Sequence, residues 1–279
     1  DISHKKSVSD DSRFTGVLSE ARVDLNPHQV EAALFAFKSP LSKGAILADE
    51  VGLGKTIEAG IILSEMWAEN KRNILIVVPA SLRNQWNIEL MEKFYLPSFI
   101  LDSESFEEGK VQMSNGEKSI YICSYNFAVT NAEYFKNINW DLIVLDEAHK
   151  LRNVYKKSNV MANALRAAFR NYKKVLLTAT PLQNNLKELY GLISIIDPEF
   201  FSSLDTFADQ YNSVTTRDKA KFGELKGRLA HIIHRTLRNQ VEEYVNFTKR
   251  TAFVQEYYPT DAEINLYEHV SEYLMREGT

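Results

Sequence analysis

Five short apolar runs, at 45–48, 74–78, 120–123, 142–145 and 175–177, constrain the fold of this chain more than any other feature. Each is three to five residues long, is bounded on both sides and shows no alternation of polar with apolar residues, the pattern of parallel strands buried on both faces. Between them lie stretches with helical periodicity at 56–69, 82–94, 126–135 and 153–169. Strand and helix in turn predict an α/β fold, a parallel sheet with helices on both faces. Such sheets bind their ligands beyond the carboxyl ends of the strands, so the segments leaving those ends are where chemistry is expected.

From about residue 186 the alternation gives way to helical pattern, broken at Pro198. We read 1–24 as an N-terminal extension, 25–197 as the sheet-bearing lobe and 198–250 as a helical insertion. Residues 251–279 read as a strand (251–257) returning to the sheet, followed by an amphipathic helix over 261–277. With 279 residues, 44% hydrophobic and 25% charged, the chain has the composition of a folded globular protein. No apolar run approaches the roughly 20 residues that cross a bilayer. One cysteine, Cys123, and an N-terminus without an apolar signal core point to a reducing cytoplasm. Starting on Asp1 and stopping just after a helical pattern, the sequence reads as a fragment of something longer.

The most informative segment is Asp49-Glu50-Val51-Gly52-Leu53-Gly54-Lys55-Thr56, which joins a strand to a helix. Gly52 and Gly54 allow the tight turn that aims successive backbone N–H groups at phosphate oxygens, with the positive end of the next helix behind them. Lys55 would reach the β and γ phosphates of ATP, and the Thr56 hydroxyl would ligate Mg2+. A glycine turn with a capping threonine is the plainer alternative. Asp146-Glu147-Ala148-His149 leaves another strand end. Alone, two adjacent carboxylates could be solvated turn residues. On the same edge as a phosphate loop, Asp146 reads as a Mg2+ ligand and Glu147 as the group that orients and deprotonates water, with His149 in coupling. A third segment, Thr178-Ala179-Thr180-Pro181-Leu182-Gln183-Asn184, could be an ordinary turn, or Thr178 and Thr180 could relay the state of the nucleotide.

The net charge of −4 does not favour a nucleic-acid partner, yet eight basic and no acidic residues occur from Lys150 to Lys174, including Lys156 and Lys157, and a second basic stretch covers 217–250. By charge alone a solvated helix face explains such a run better than DNA does.

In order along the chain, Leu25-Asn26-Pro27-His28-Gln29, the phosphate loop, Val78-Pro79-Ala80-Ser81-Leu82 with Gln85-Trp86, and Ser124-Tyr125 resemble the first RecA-like motor lobe of the Swi/Snf-type ATPases of helicase superfamily two. The resemblance continues through Asp146-Glu147-Ala148-His149, Thr180-Pro181-Leu182-Gln183-Asn184, Glu188-Leu189-Tyr190 and His234-Arg235-Thr236. Asp49, in place of a first glycine, is usual in that family, and Val51 is similar to the bacterial RapA-like branch. The resemblance implies a motor that uses ATP and Mg2+ to move on duplex DNA and remodel protein–DNA complexes. Its partners would be a second motor lobe, which brings an arginine to the transition state, and RNA polymerase or another DNA-bound complex. The chain alone is then expected to hydrolyse ATP poorly, an arginine of that kind being worth roughly 10³ to 10⁵ in rate. The resemblance also implies that Gln29 reads adenine and that Ser81, Ser124, Tyr125 and Asn184 contact DNA. A strand-separating helicase or restriction-type motor shares the two main motifs, and a non-hydrolysing nucleic-acid-binding module is the reading from a different class.

Overall fold

In a computed structural model, the residues described are 24–38, 43–211, 219–245, 247 and 253–275. They fall into two units, 1–244 and 245–279. The first is built on a seven-stranded parallel sheet: β1 (Gly44–Leu47), β2 (Ile74–Val78), β3 (Ser98–Leu101), β4 (Ile120–Ser124), β5 (Leu142–Asp146), β6 (Lys174–Leu177) and β7 (Ile233–His234). Their spatial order is β3-β4-β2-β5-β6-β1-β7.

Why the apolar runs are continuous follows from the two cores. Successive strand side chains point to opposite faces, so Leu75, Val77, Ile143, Leu145, Ile46 and Leu176 enter one cluster while Ile74, Ile76, Val78, Leu142, Val144 and Leu47 enter the other. The second cluster is roofed by α1 (Pro27–Lys38), α2 (Lys55–Ala68) and α3 (Arg83–Phe94). Gly60 lets two of these approach: a Cβ there would lie 2.2 Å from the Phe94 ring. The opposite face is covered by α5 (Tyr125–Thr130), α6 (Ala132–Lys136), α7 (Val160–Ala168), α8 (Leu186–Ile196) and α9 (Leu204–Tyr211), with α4 (Phe106–Ser114) near the β3 edge and α10 (Lys219–Leu229) leading to β7. The α/β fold with helices on both faces is as the sequence predicts.

Four local differences have physical causes. The expected helix over 153–169 begins only at Val160, because Asn159 Oδ1 accepts the Ala162 N–H at 3.1 Å and caps it there. The helix over 126–135 divides at Asn131, which ends α5 and starts α6. Strand β3 was not expected at all; it is a four-residue edge strand following Pro97. The strand predicted at 251–257 is not found: the described part, 253–257, is exposed, carries no strand and belongs to the second unit. The strand beside β1 is instead Ile233–His234, inside the segment read as a helical insertion, with Ile233 opposite Ile46 and His234 opposite Leu47. The second unit contains one described helix, α11 (Asp261–Met275). No described helix is long and apolar enough to cross a membrane. The expected N-terminal extension lies outside the described residues apart from Asp24.

Candidate nucleotide site and nucleic-acid face

All the parallel strands end on one edge, and the strand order decides which motifs meet there. The phosphate loop leaves β1, Asp146 ends β5, and Thr178 follows β6, which runs between them. Gly52 and Gly54 have φ of 87° and 92°, left-handed values that cost glycine little. Gly54 then starts α2 with no side-chain cap, so the N–H groups of Lys55 and Thr56 are left for a ligand, while that of Ile57 turns back to the Gly54 carbonyl at 2.7 Å. The Lys55 ammonium donates to the carbonyls of Asp49 at 2.9 Å and Glu50 at 3.4 Å, folding back over its own loop. Thr56 follows on the first turn of α2, partly exposed.

The loop is also held from outside. His28 Nε2 and Gln29 Nε2 each lie 2.9 Å from the Leu53 carbonyl, and Gln29 Oε1 accepts the Asn26 N–H at 3.0 Å. Both ends of the Gln29 amide are therefore engaged within the chain, where the sequence reading had them facing adenine. Beyond β7, Thr236 N donates to Asp49 Oδ1 at 2.7 Å, and Arg238 N donates to Glu50 Oε2 at 2.8 Å. The Arg238 guanidinium donates to the Val51 carbonyl through Nε at 3.0 Å and Nη2 at 2.6 Å. Burial opposes ionisation of Asp49, but His234, whose Nδ1 stands 3.5 Å from Oδ1, and the hydrogen bond from Thr236 outweigh it and hold the carboxyl below its usual range. Glu58, fully buried on α2 with no hydrogen-bond partner for either oxygen, is driven far the other way by burial and the nearby Asp49 charge.

On β5, the carboxylate of Asp146 is held at both oxygens: Trp86 Nε1 donates to Oδ2 at 2.9 Å and Glu147 N to Oδ1 at 2.8 Å. Burial raises its pKa against these bonds and the pull of Lys55. Glu147 takes a left-handed φ of 51°, which turns its carboxylate out of the strand and onto His149 Nδ1 at 3.0 Å. No group of three His, Cys, Asp or Glu side chains gathers as a metal cage among the described residues. Mg2+ commonly uses one or two protein oxygens and takes the rest from phosphates and water. A single buried carboxylate held by two donors, with a hydroxyl at the head of α2 on the same sheet edge, fits that donor set.

Of the residues expected to touch DNA, Tyr125 is corrected: it is buried, and its hydroxyl donates to the Asp146 carbonyl at 2.7 Å, bracing the carboxylate strand. Ser124 caps α5 by accepting the Phe127 N–H at 3.2 Å. Ser81 is exposed within a short 3-10 turn that has no side-chain cap. Thr178 is buried and its hydroxyl accepts the N–H of the exposed Thr180 at 3.2 Å. Asn184 is anchored by Glu188, whose Oε1 accepts its side chain at 2.9 Å while Oε2 accepts its N–H at 3.1 Å. Arg152 stands 3.6 Å from that carboxylate. Burial disfavours charge on Glu188, yet the Asn184 and Gln183 bonds and Arg152 bring its pKa below the usual value.

The basic run does not form one face. Lys174 is wholly buried, its ammonium donating to the carbonyls of Phe169 and Tyr172 at 2.7 Å, and Arg152 is taken by Glu188. Lys156 and Lys157 are exposed, in the turn before α7.

The chain is similar in sequence and fold to known proteins. The SNF2-related domain profile covers residues 28–277. The chain belongs to that family. An uncharacterized ATP-dependent helicase of Bacillus subtilis, YqhH, is 39% identical over 190 residues, 66% of this chain and 31% of its own length. The RNA polymerase-associated protein RapA of Pectobacterium atrosepticum is 34% identical over 227 residues, 75% of this chain and 23% of its own. The chain thus spans between about a quarter and a third of these relatives. The SWI2/SNF2 ATPase core of Sulfolobus solfataricus in complex with dsDNA superposes with a TM-score of 0.66 at 24% identity, over 78% of this chain and 46% of that one, and carries the same fold.

Trp86, Glu188, Thr236 and Arg238 had been given no role. The signal for Trp86 was its place in a motif whose polar members drew the attention; for Arg238 the sequence carries none, since its partners lie 187 and 188 residues away.

Proposed function

We propose that this chain is the ATP-binding lobe of a DNA-dependent ATPase that moves on duplex DNA to remodel protein–DNA complexes. The observation that carries the reading is the juxtaposition on one sheet edge of the Lys55 loop, after β1, and the Asp146-Glu147 pair, at the end of β5. Lys55 would leave the Asp49 and Glu50 carbonyls for the β and γ phosphates. Thr56 and Asp146 would hold Mg2+, which offsets the oxygen charge between those phosphates. Glu147, steadied by His149, would take the proton of the water whose oxygen attacks the γ phosphorus as the bond to the β-phosphate oxygen breaks. Gln29 would read adenine by exchanging its Leu53 and Asn26 bonds for the base.

For DNA, support comes from the exposed Ser81, Asn184, Lys156 and Lys157 and from the Sulfolobus neighbour, which is a complex with dsDNA. The second motor lobe, a cytoplasmic, nucleoid-associated setting and an RNA polymerase complex as cargo belong to the same proposal, the last resting on the name of RapA. The deciding experiment is ATP turnover by a longer natural chain containing this lobe, with and without duplex DNA. Turnover stimulated by duplex is expected; a chain that binds Mg-ATP but never hydrolyses it would favour the binding-module alternative.

A further inference from the structure

The phosphate loop is tethered from outside at two of its carbonyls. In a trans peptide, the C=O of one residue and the N–H of the next point in opposite directions. Whatever grips the Val51 carbonyl therefore aims the Gly52 N–H, and whatever grips the Leu53 carbonyl aims the Gly54 N–H. The Leu53 carbonyl is gripped by His28 and Gln29, and the Val51 carbonyl by two nitrogens of Arg238. These matter because the other bonds hold Asp49, Glu50 and the Leu53 N–H, whereas Gly52 and Gly54 admit many backbone states and Val51 at the apex is 66% exposed. Unrestrained, that freedom would be lost on binding and subtracted from affinity.

Arg238 is itself located by the loop. Its N–H is bound by the Glu50 carboxylate, and the strand before it runs along β1 and past its end through Ala48 N to His234 O at 2.7 Å and Glu50 N to Thr236 O at 3.1 Å. A Cβ on Gly52 would stand 3.2 Å from Arg238 Nη2, so the guanidinium lies directly against the turn.

We infer that Arg238 is a positioning residue of the nucleotide site, pinning the Val51 carbonyl so that the Gly52 N–H faces the phosphates before they arrive. The inference rests on the proposed ATP site, and the test separates the two. Binding of Mg-ATP and Mg-ADP is measured on the 279-residue chain for wild type, Arg238→Ala and Arg238→Lys, alongside the Tm of each without nucleotide. If wild type binds neither nucleotide, the ATP-site reading itself fails. If it binds, Arg238→Ala should lose roughly tenfold to a hundredfold in affinity, the scale of a charge-assisted pair of hydrogen bonds. The loss should be alike for ATP and ADP, because the loop backbone serves the inner phosphates of both.

Arg238→Lys, which keeps one donor and the charge, should recover part of the loss, and it carries the test if the alanine variant does not fold. Equal affinity in Arg238→Ala and wild type would overturn the inference. So would a loss confined to ATP, the mark of direct contact with the γ-phosphate. So too would Tm values that fall in both variants in proportion to affinity, the mark of a role in the fold alone.

Discussion

Trp86→Phe should raise the Mg2+ concentration needed for nucleotide binding while leaving the Mg2+-free binding step nearly as it was. Trp86 is 2% exposed and its indole N–H is the donor on Asp146 Oδ2 at 2.9 Å. Phenylalanine keeps an aromatic ring in the same core but removes that donor. A hydrogen bond to a charged group is worth about 1.5–3 kcal/mol, so the ionised carboxylate loses that much support relative to its neutral form. Burial already raises Asp146, and the Trp86 bond is the largest influence opposing it. That donor also fixes the orientation in which the carboxylate would meet the cation, so the Mg2+ midpoint should move up, by at most the roughly tenfold to hundredfold to which the lost bond corresponds.

The assay is nucleotide binding followed across a Mg2+ titration at neutral pH, with the Tm of each protein measured in parallel. Loss of the smaller indole ring leaves a void, and about 1–3 kcal/mol of stability should go with it on the pattern of large-to-small core changes. For a chain of this size that is about 2–4 °C per kcal/mol, so the variant remains folded for the binding measurement. Tyr125→Phe is the control: it removes a donor to the Asp146 backbone carbonyl and leaves the carboxylate untouched, so the Mg2+ midpoint should shift far less. A folded Trp86→Phe protein with an unmoved Mg2+ midpoint would refute the assignment of Asp146 to the cation.

Lys55→Ala should weaken nucleotide binding itself, because a cation facing the triphosphate is lost, whereas Glu147→Gln in a longer natural chain should abolish turnover and spare binding; equal Kd values for all three proteins would undo that division. Lys156→Ala with Lys157→Ala should lower the slope of log K against log salt on duplex DNA by about 0.9 for each phosphate contact removed, read from Kd at several salt concentrations with ATP affinity as the unaffected control. Cys123 is fully buried and burial pushes its thiol far up, so a thiol reagent should label it only as fast as the fold opens; rapid labelling of the native chain would contradict its place in the sheet. Burial brings Lys174 down to about 8, below its unfolded value near 10.4, so between those pH values the unfolded chain binds the extra proton and stability rises with pH. That rise should be absent in Lys174→Met when the two denaturation curves are compared across pH 7 to 10.5.

How far the sequence discloses this molecule depends on the range of the interaction that sets each feature. Runs such as Ile74 to Val78 disclosed their strands because burial on both faces demands a continuous apolar segment; the five strands expected from such runs are present, and the sixth, expected at 251–257 without that support, is not seen in its described part. The phosphate loop and Asp146-Glu147 were legible because their chemistry fixes residue type at short spacing. The basic run was misleading for the opposite reason. A charge count treats Lys150 to Lys174 as one object, yet Lys174 terminates in a core lined by backbone carbonyls and Arg152 serves Glu188 across the loop, and of the eight cations Lys150, Lys156, Lys157 and Arg170 are exposed. Tyr125 was misplaced by the same kind of shortcut. It belongs to a motif associated with DNA contact, but its position right after β4 turns the ring inward and its hydroxyl onto Asp146.

Strand β7 shows the limit most clearly. With only Ile233 and His234 it is too short to carry any period, and its helical surroundings argue against a strand. What places it is the open edge of β1, whose N–H groups need partners once the other side is taken by β6. Ile46, Ala48 and Glu50 find them in the carbonyls of Ile232, His234 and Thr236, and this register carries Arg238 onto Val51. The geometry of the phosphate loop is thus set in part by residues that no motif within 49–56 names. A chain carrying every residue from Asp24 to His231 and nothing further would keep the phosphate loop and the carboxylate pair but lose the donors that fix the Val51 end of the loop, and should bind nucleotide more weakly than the chain described.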